Sequence, residues 1–333
     1  MTKIVLGFSG GVDSSVSAAL LRRRGFEVFG LYLDNTDEKA RREAAESAAF
    51  LGIELKVLDI RAELEEKVCR PFAEAYRQGR TPNPCVLCNP AVKFRALCAE
   101  ADRVGAELVA TGHYARAAQG ALYKGRPAND QSYMLCRLRR EQLARCLFPL
   151  GDYEKTQVRA LAEELALPAA KKPDSMEICF IPDKNYIRWL SERAPLPGPG
   201  PFVFRGETLG EHEGIVRWTV GQRRPGLYGG HKLYVSRIDA AANSVELALW
   251  EELFKTEVRA SDFHWLIDPP EEPFSATVRV RHTKWEEPRC TVTAGEGGMA
   301  RITCETPVRA PAPGQSAVLY SGERVLGGGF LTR

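Results

Sequence analysis

The sequence predicts an α/β protein: a doubly wound parallel sheet in the N-terminal half, then short strands that end in a small closed β-barrel. Three observations carry that expectation. Short apolar runs alternate with amphipathic helical stretches from Lys3 to Thr111. A Gly-rich turn joins the first run to the first helix. Beyond a Pro-rich stretch at 194–201 the helical period gives way to short strands and Pro-Gly turns.

Ile4, Val5, Leu6 and Phe8 read as a buried strand. Ser9-Gly10-Gly11 then forces a tight turn, and from Asp13 the pattern is helical, with Val16, Ala19 and Leu20 on one face. A strand, a glycine turn and a helix start together form an anion site, because unbonded N–H groups converge there and the helix dipole adds positive potential. The plain alternative is a glycine turn that merely starts a helix. No Gly-Lys-Ser/Thr follows, so this is not the loop that grips β- and γ-phosphates with a lysine. A second strand is expected at 28–33, a helix at 37–51 ending at Gly52, a third strand at 54–60 and a helix at 64–76. In such sheets ligands sit at the carboxyl ends of the strands, where Leu33 and Asp34 could receive adenine.

Residues 79–90 break the rhythm. Their prolines and asparagines predict a rigid loop that presents Cys85 and Cys88 ahead of a helix starting near Ala91. A cysteine at a helix N-terminus, with Lys93 and Arg95 close by, gains thiolate character. Cys85-x-x-Cys88 is also half of a zinc site, but no second pair completes it. A strand at 108–111 runs into Gly112-His113-Tyr114, where glycine permits close backbone approach to a nucleoside. His113 is either an ordinary surface residue or a binding one. A hairpin is expected at 123–126, and Asn129–Met134 at the mouth of a helix. Arg137, Arg139, Arg140 and Arg145 suit either a solvated face or RNA phosphates. Asp152 is the expected cap of a helix that turns Val158, Leu161, Ala162 and Leu165 inward. Cys179 lies in an apolar, strand-like run and on that ground alone reads as a core cysteine. Strands follow at 202–204, 233–238 and 245–249, with a basic Gly-rich loop at 218–227. Further strands at 274–281, 289–294, 299–304 and 316–320 suggest the barrel.

A chain of 333 residues holds two or three domains. The expected division is 1–194, a stiff Pro-rich spacer at 195–201, then 202–255 and 256–333. Hydrophobic content of 44% and charged content of 27% are ordinary for a soluble globular protein. No apolar run is long enough for a membrane span, and the N-terminus enters the first strand directly, so a cytoplasmic protein without a signal peptide is expected. The net charge of +3 permits nucleic-acid binding without arguing for it. Nine cysteines in such a chain suggest core residues, metal ligands or catalysts rather than disulfides. Cys69, Cys98, Cys136, Cys146, Cys290 and Cys304 have no telling spacing and read as structural.

Ser9-Gly-Gly-x-Asp-Ser14 resembles the PP-loop of the ATP pyrophosphatases. With Gly7-Phe-Ser-Gly-Gly-Val-Asp-Ser14, Thr81-Pro-Asn-Pro84, Cys88-Asn89, Thr111-Gly-His-Tyr114, Asp130-Gln-Ser-Tyr133, Phe148-Pro-Leu-Gly151, Asp174-Ser175, Ile178-Cys-Phe-Ile181 and Thr219-Val-Gly-Gln-Arg223, the chain resembles the bacterial tRNA-specific 2-thiouridylases (MnmA-type) nearly end to end. The resemblance implies an N-terminal PP-loop domain of the adenine nucleotide alpha hydrolase-like fold, a small central α+β domain and a C-terminal barrel that contacts tRNA. It implies that ATP adenylates O2 of the wobble uridine, U34, and that sulfur then displaces AMP to give 2-thiouridine. A sulfur donor, such as a cysteine desulfurase or a relay protein, is implied as a partner. By the same resemblance Gly7, Phe8, Ser9, Gly10, Gly11, Val12, Asp13, Ser14, Leu33 and Gly112 bind ATP, with Asp13 near Mg²⁺. Cys88 is then the nucleophile and Cys179 carries the persulfide. Asn83, Pro84 and Cys85 receive the target base, and His113, Asn129, Asp130, Gln131, Arg281, His282 and Gln315 meet the tRNA.

Two positions depart from the family's commonest pattern, which has Asp at Cys85 and Gly at Glu177. A thiol cannot act as a carboxylate base. Cys85, Cys88 and Cys179 could instead hold a [4Fe–4S] cluster with one iron open to sulfide. Competing readings are a different PP-loop ligase, and a catalytically inactive RNA-binding or iron–sulfur sensor protein.

Overall fold

The six residues Thr2–Gly7 form β1, with Ile4, Val5 and Leu6 fully buried. A strand this apolar must be covered on both faces. The computed structural model describes residues 1–35, 37–173, 178–282 and 287–332. It divides into two compact units, Met1–Val68 with Cys85–Met176 and Glu323–Val325, and Cys69–Pro84 with Glu177–Gly322 and Leu326–Arg333.

In the first unit β1 pairs in parallel with β2 (Phe26–Asp34) on one side and β4 (Leu108–Thr111) on the other. β3 (Glu54–Asp59) and β7 (Cys146–Leu147) complete the order β3-β2-β1-β4-β7. The helix α1 (Val12–Arg23) follows β1, and its Val16, Leu20 and Leu21 pack with Ile4, Leu6, Val28 and Val158. α2 (Glu38–Leu51) is capped by Asp37, whose carboxylate accepts from the Ala40 N–H at 2.9 Å, and ends at Gly52 with φ 61°. That helix matches its expected span and its stop at Gly52, with Asp37 serving as the cap rather than the first helical residue. The strand order reverses between β1 and β4, so the loop after β1 and the turn after β4 meet at the switch point where open α/β sheets bind ligands.

Four local expectations are corrected. The hairpin is formed by β5 (Ala115–Ala118) and β6 (Ala121–Lys124) around Gln119-Gly120, both with positive φ, rather than at 123–126. The helix Lys155–Glu164 is capped through Glu154, with Gln157 closing a capping box, and not by Asp152. Its inward face is as expected, with Val158 and Ala162 fully buried. Cys85 and Cys88 are not in a loop ahead of a helix at Ala91. They lie inside the helix Pro84–Cys88, which continues through a π-type turn, Asn89–Lys93, into Phe94–Val104. A proline at the first helical position explains the early start, since its missing N–H costs nothing there. Cys179 occupies a turn rather than a core strand, closed by the Ile181 N–H bonding to the Ile178 carbonyl at 2.9 Å, and it is exposed.

In the second unit β8 (Gly200–Phe204), β9 (Glu207–His212), β10 (Tyr234–Asp239) and β11 (Ser244–Ala248) form a four-stranded sheet in the order β10-β11-β8-β9. Then come β12 (Phe254–Trp265), β13 (Phe274–Arg279), β14 (Arg289–Ala294), β15 (Ala300–Arg309), β16 (Ser316–Ser321) and β17 (Arg324–Leu331). They run β12-β15-β14-β13-β16-β17, and pairing of β12 with β17 closes the barrel. Its core includes Val258, Val278, Val292, Ile302, Leu319 and Leu331. β17 escapes a sequence reading because Gly327-Gly-Gly329 looks like a turn. A Cβ on Gly327 would stand 2.3 Å from the His264 carbonyl oxygen, and one on Gly329 2.8 Å from that of Ser261, so the glycines let β12 approach. Among the described residues no helix is long and apolar enough to cross a membrane.

Candidate nucleotide and thiol site

The loop after β1 is shaped by its own side chains. Gly10 has φ 69°, and a Cβ there would fall 2.4 Å from Cα of Ala44, so only glycine fits. Ser9 Oγ lies 3.3 Å from Ser14 Oγ and accepts from the Gly11 N–H at 3.4 Å, while the Ser14 hydroxyl lies 3.1 Å from the Gly11 carbonyl oxygen. Gly11 is the N-cap of α1 and supplies no side-chain cap, which leaves first-turn N–H groups for an anion. Phe8 and Val12 turn their side chains into the core, so they face the loop with backbone alone. Leu33 stands half-buried at the carboxyl end of β2, and Gly112 lies directly beside Asp13 and Ser14.

Asp13 is the most heavily bonded group of the loop. Lys155 Nζ donates to both its carboxylate oxygens, at 2.7 and 2.8 Å, and the Tyr114 hydroxyl donates to one of them at 2.7 Å. Lys172 Nζ adds a bond to the Gly10 carbonyl at 3.2 Å and pairs with Glu43 at 2.9 Å. Sequence reasoning missed Tyr114, Lys155 and Lys172 in these places. One signal existed for Lys155: it is the first residue of its helix, where the dipole disfavours a cation unless an anion is near.

His113 follows Gly112 and is held by Thr111, whose Oγ1 lies 2.7 Å from its Nδ1. It stacks on Phe94 with ring centroids 6.1 Å apart and meets Phe148 edge-on at 6.3 Å. Burial, aided by the charge of Lys93, holds its pKa well below the ordinary histidine value, so the ring is neutral near pH 7. Of the neighbouring trio, Asp130 is buried and accepts from the Gly125 N–H at 2.9 Å, the Ser132 N–H at 3.0 Å and the Ser132 hydroxyl at 3.0 Å. Gln131 Oε1 accepts from the Tyr114 N–H at 2.9 Å, and its own N–H donates to the Tyr114 carbonyl at 2.8 Å. With its amide oriented to satisfy both neighbours, Asn129 accepts from the Lys155 N–H at 2.9 Å.

The nine cysteines separate by environment. Cys85 is exposed and Cys88 half-buried on one helix of the first unit; Cys179 is exposed on its turn in the second. Next to Cys179, Phe180 packs edge-on against Phe72 at 5.5 Å and against Trp189 at 5.2 Å, which anchors that turn. Burial pushes the thiols of Cys136 and Cys290 up to about 12 and that of Cys304 to about 11, and it raises those of Cys98 and Cys146. Such thiols stay protonated and inert. Among the described residues no group of three His, Cys, Asp or Glu side chains is placed to hold a metal ion. The [4Fe–4S] reading of Cys85, Cys88 and Cys179 therefore has no support.

Of the other expected RNA contacts, Asn83, Pro84, Arg281, His282 and Gln315 belong to the second unit and Arg145 to the first. The Arg281 guanidinium donates to the Ala310 carbonyl, at 2.7 Å from one nitrogen, and to that of Val220. Gln315 Nε2 donates to the Thr81 carbonyl at 2.8 Å, two residues from the half-buried Asn83 and three from the buried Pro84, and His282 is exposed. Arg145 is tied down by the carbonyls of Ala106 and Glu107 and by Asp102 at 2.7 Å. Asp174, Ser175 and Glu177 lie outside the described residues.

Comparison with known proteins fits this arrangement. Residues 2–183 match a family model described as a tRNA methyl transferase HUP domain, 193–248 one described as a tRNA methyl transferase PRC-barrel domain, and 255–331 one described as an aminomethyltransferase beta-barrel domain. A relative from Pelotomaculum thermopropionicum named tRNA-specific 2-thiouridylase MnmA is 42% identical, over 99% of this chain and 97% of its own length. The chain belongs to the tRNA-specific 2-thiouridylase family. Relatives of that name from Syntrophotalea carbinolica, 41% identical over 98% of both chains, and Chloroflexus aggregans, 42% identical over 100% of this chain and 99% of its own, match equally throughout. The family's three-part plan accounts for the parallel sheet, the four-stranded sheet and the closed barrel seen here. The PP-loop family uses ATP with Mg²⁺. The loop suits both, since its N–H groups and hydroxyls are ligands for phosphate and the Asp13 carboxylate is a hard oxygen donor for the cation.

Proposed function

We propose that this chain is a sulfurtransferase that converts the wobble uridine of tRNA to 2-thiouridine at the expense of ATP. One observation supports it above the rest: a nucleotide loop at the sheet's switch point shares a chain with the exposed Cys85 and Cys179 and the half-buried Cys88, while burial raises the thiols of Cys98, Cys136, Cys146, Cys290 and Cys304. The naming of the full-length relatives supports the substrate.

In this reading the backbone of Gly7–Ser14 and the Ser9 and Ser14 hydroxyls hold the phosphates, and Leu33 and Gly112 border the adenosine. Asp13 would hold Mg²⁺, which when bound would supply positive charge against the departing pyrophosphate. Asn83, Pro84 and Cys85 receive the uridine, which must leave its stack to be reached. O2 of the uracil attacks the α-phosphorus and pyrophosphate leaves. The terminal sulfur of a Cys179 persulfide then adds at C2. The Cys88 thiolate attacks the inner sulfur, so that the C2-bound sulfur keeps the electron pair and AMP is expelled. The two cysteines end as a disulfide, and an external dithiol reductant reopens it. A sulfur donor, a cysteine desulfurase or a relay protein, reloads Cys179. His113, Asn129–Gln131, Arg281, His282 and Gln315 bind the tRNA, whose presence sets the reaction in the cytoplasm. Methyl transfer, the word in the family-model descriptions, has no use for a loop that activates ATP.

The test is pyrophosphate release with and without unmodified tRNA, with 2-thiouridine measured by mass spectrometry. Release that requires tRNA, and thiolation abolished in both Cys88→Ser and Cys179→Ser, is expected. Thiolation at normal rate in both variants would overturn the reading.

A further inference from the structure

The segment proposed to meet tRNA is linked through Tyr114 and Lys155 to the loop proposed to hold ATP. Gln131 grips Tyr114 through both its backbone N–H and its side-chain oxygen, 2.8 and 2.9 Å. The Tyr114 hydroxyl reaches Asp13 at 2.7 Å. From the other side Asn129 accepts from the Lys155 N–H at 2.9 Å, and Lys155 Nζ reaches both oxygens of the same carboxylate. The two arms also touch one another, since Lys155 Nζ lies 5.7 Å from the centre of the Tyr114 ring. Asp130, between the two gripping residues, is buried and takes three hydrogen bonds, which fixes the turn as one piece.

We infer that Tyr114 and Lys155 are positioning residues that set the Asp13 carboxylate according to whether the Asn129–Gln131 turn is engaged by RNA. The inference rests on the assignment of Asn129–Gln131 to tRNA and of Asp13 to the nucleotide. Its physical basis is short and contiguous. A displacement of the turn moves the Tyr114 backbone and the first residue of the Lys155 helix together, and both end on one carboxylate. Charge-assisted bonds to a partly buried carboxylate are directional enough to carry such a shift. Binding of ATP with Mg²⁺ and binding of tRNA must then alter each other's affinity by one common factor. The arrangement gives a reason why adenylation would wait for its RNA, which spares ATP from attack by water.

The decisive experiment measures four dissociation constants for each protein: a non-hydrolysable ATP analogue with Mg²⁺, with and without tRNA, and tRNA with and without the analogue. Wild type is compared with Tyr114→Phe, which removes one hydroxyl, and with Lys155→Met and Lys155→Arg. The expected result is a coupling factor of at least about fivefold in wild type, the lower end of common couplings. Tyr114→Phe and Lys155→Met should bring it to within about twofold of unity, and Lys155→Arg should restore part of it. A coupling factor unchanged in Tyr114→Phe and Lys155→Met would overturn the inference, as would a wild-type factor of one. The underlying assignment fails in a separate way, if Asn129→Ala with Gln131→Ala leaves the affinity for tRNA alone unchanged.

Discussion

A Cβ placed on Gly112 would stand 3.1 Å from both the carbonyl carbon and the Cβ of Asp13, and 3.2 Å from the Ser14 nitrogen. The glycine after β4 therefore sets how closely that turn and the nucleotide loop approach. Gly112→Ala must push Asp13 by a few tenths of an ångström. A misplacement of that order at a reacting group predicts a fall of roughly tenfold in kcat/KM for tRNA-dependent pyrophosphate release, about 1.4 kcal/mol of transition-state stabilisation. Steady-state kinetics with near-normal denaturation behaviour would separate this from unfolding.

Gly10→Ala, within the same loop, should cost stability as well. Its Cβ would overlap Cα of Ala44 at 2.4 Å, in a backbone conformation with φ 69°. Strain and overpacking together predict a loss of about 2–4 kcal/mol, read from the midpoint of a urea transition at unchanged slope.

Asp130→Ala removes the acceptor for three buried donors. The expected cost is about 2–4 kcal/mol, with Asp130→Asn markedly milder because its oxygen still accepts. If both variants are as stable as wild type, the carboxylate does not hold the turn as described.

The His113 pKa is lowered in the folded protein, so the unfolded chain binds the proton more readily. Its contribution is intact above the unfolded value of 6.5 and is lost as pH falls below it, continuing down to the folded value. Stability should then decline by about 1.4 kcal/mol per pH unit from this group alone. His113→Phe, which can keep the stack on Phe94, should flatten the decline between pH 6.5 and 5.5 in paired denaturation curves.

Under native conditions iodoacetamide should label Cys85, Cys88 and Cys179 and spare Cys136, Cys146, Cys290 and Cys304, whose thiols are buried and raised. Peptide mapping by mass spectrometry reads the outcome directly. Equal labelling of Cys136 would contradict the burial found here.

The parallel sheet and α2 were legible because their signals are local: alternating apolar runs, a helical stretch from Asp37, Gly52 as a stop. The loop after β1 was legible because two adjacent glycines have few other uses. What escaped depends on partners distant in sequence. Lys155 looks like a helix-surface cation until Asp13 appears beside it, 142 residues away. Cys179 looks like a core residue because its neighbours Ile178, Phe180 and Ile181 are apolar; those neighbours anchor the turn and leave the thiol outside. β9 is too polar, and β17 too rich in glycine, to read as strands without the sheet and barrel that accept them.

The π-type turn at Asn89–Lys93 has a consequence for how the thiol helix can vary. Each residue of an α-helix advances the azimuth by about 100°. A π turn carries one residue more than the α-helical path it replaces, so it resets the direction of everything before it relative to Phe94–Val104. Were all these residues to follow an α-helical path instead, Cys85 and Cys88 would be rotated together by about that angle, whereas deleting a single residue there would leave their bearing nearly unchanged. The irregularity works as an indexing step that absorbs one extra residue, and at this chain length it holds the two thiols to their bearing.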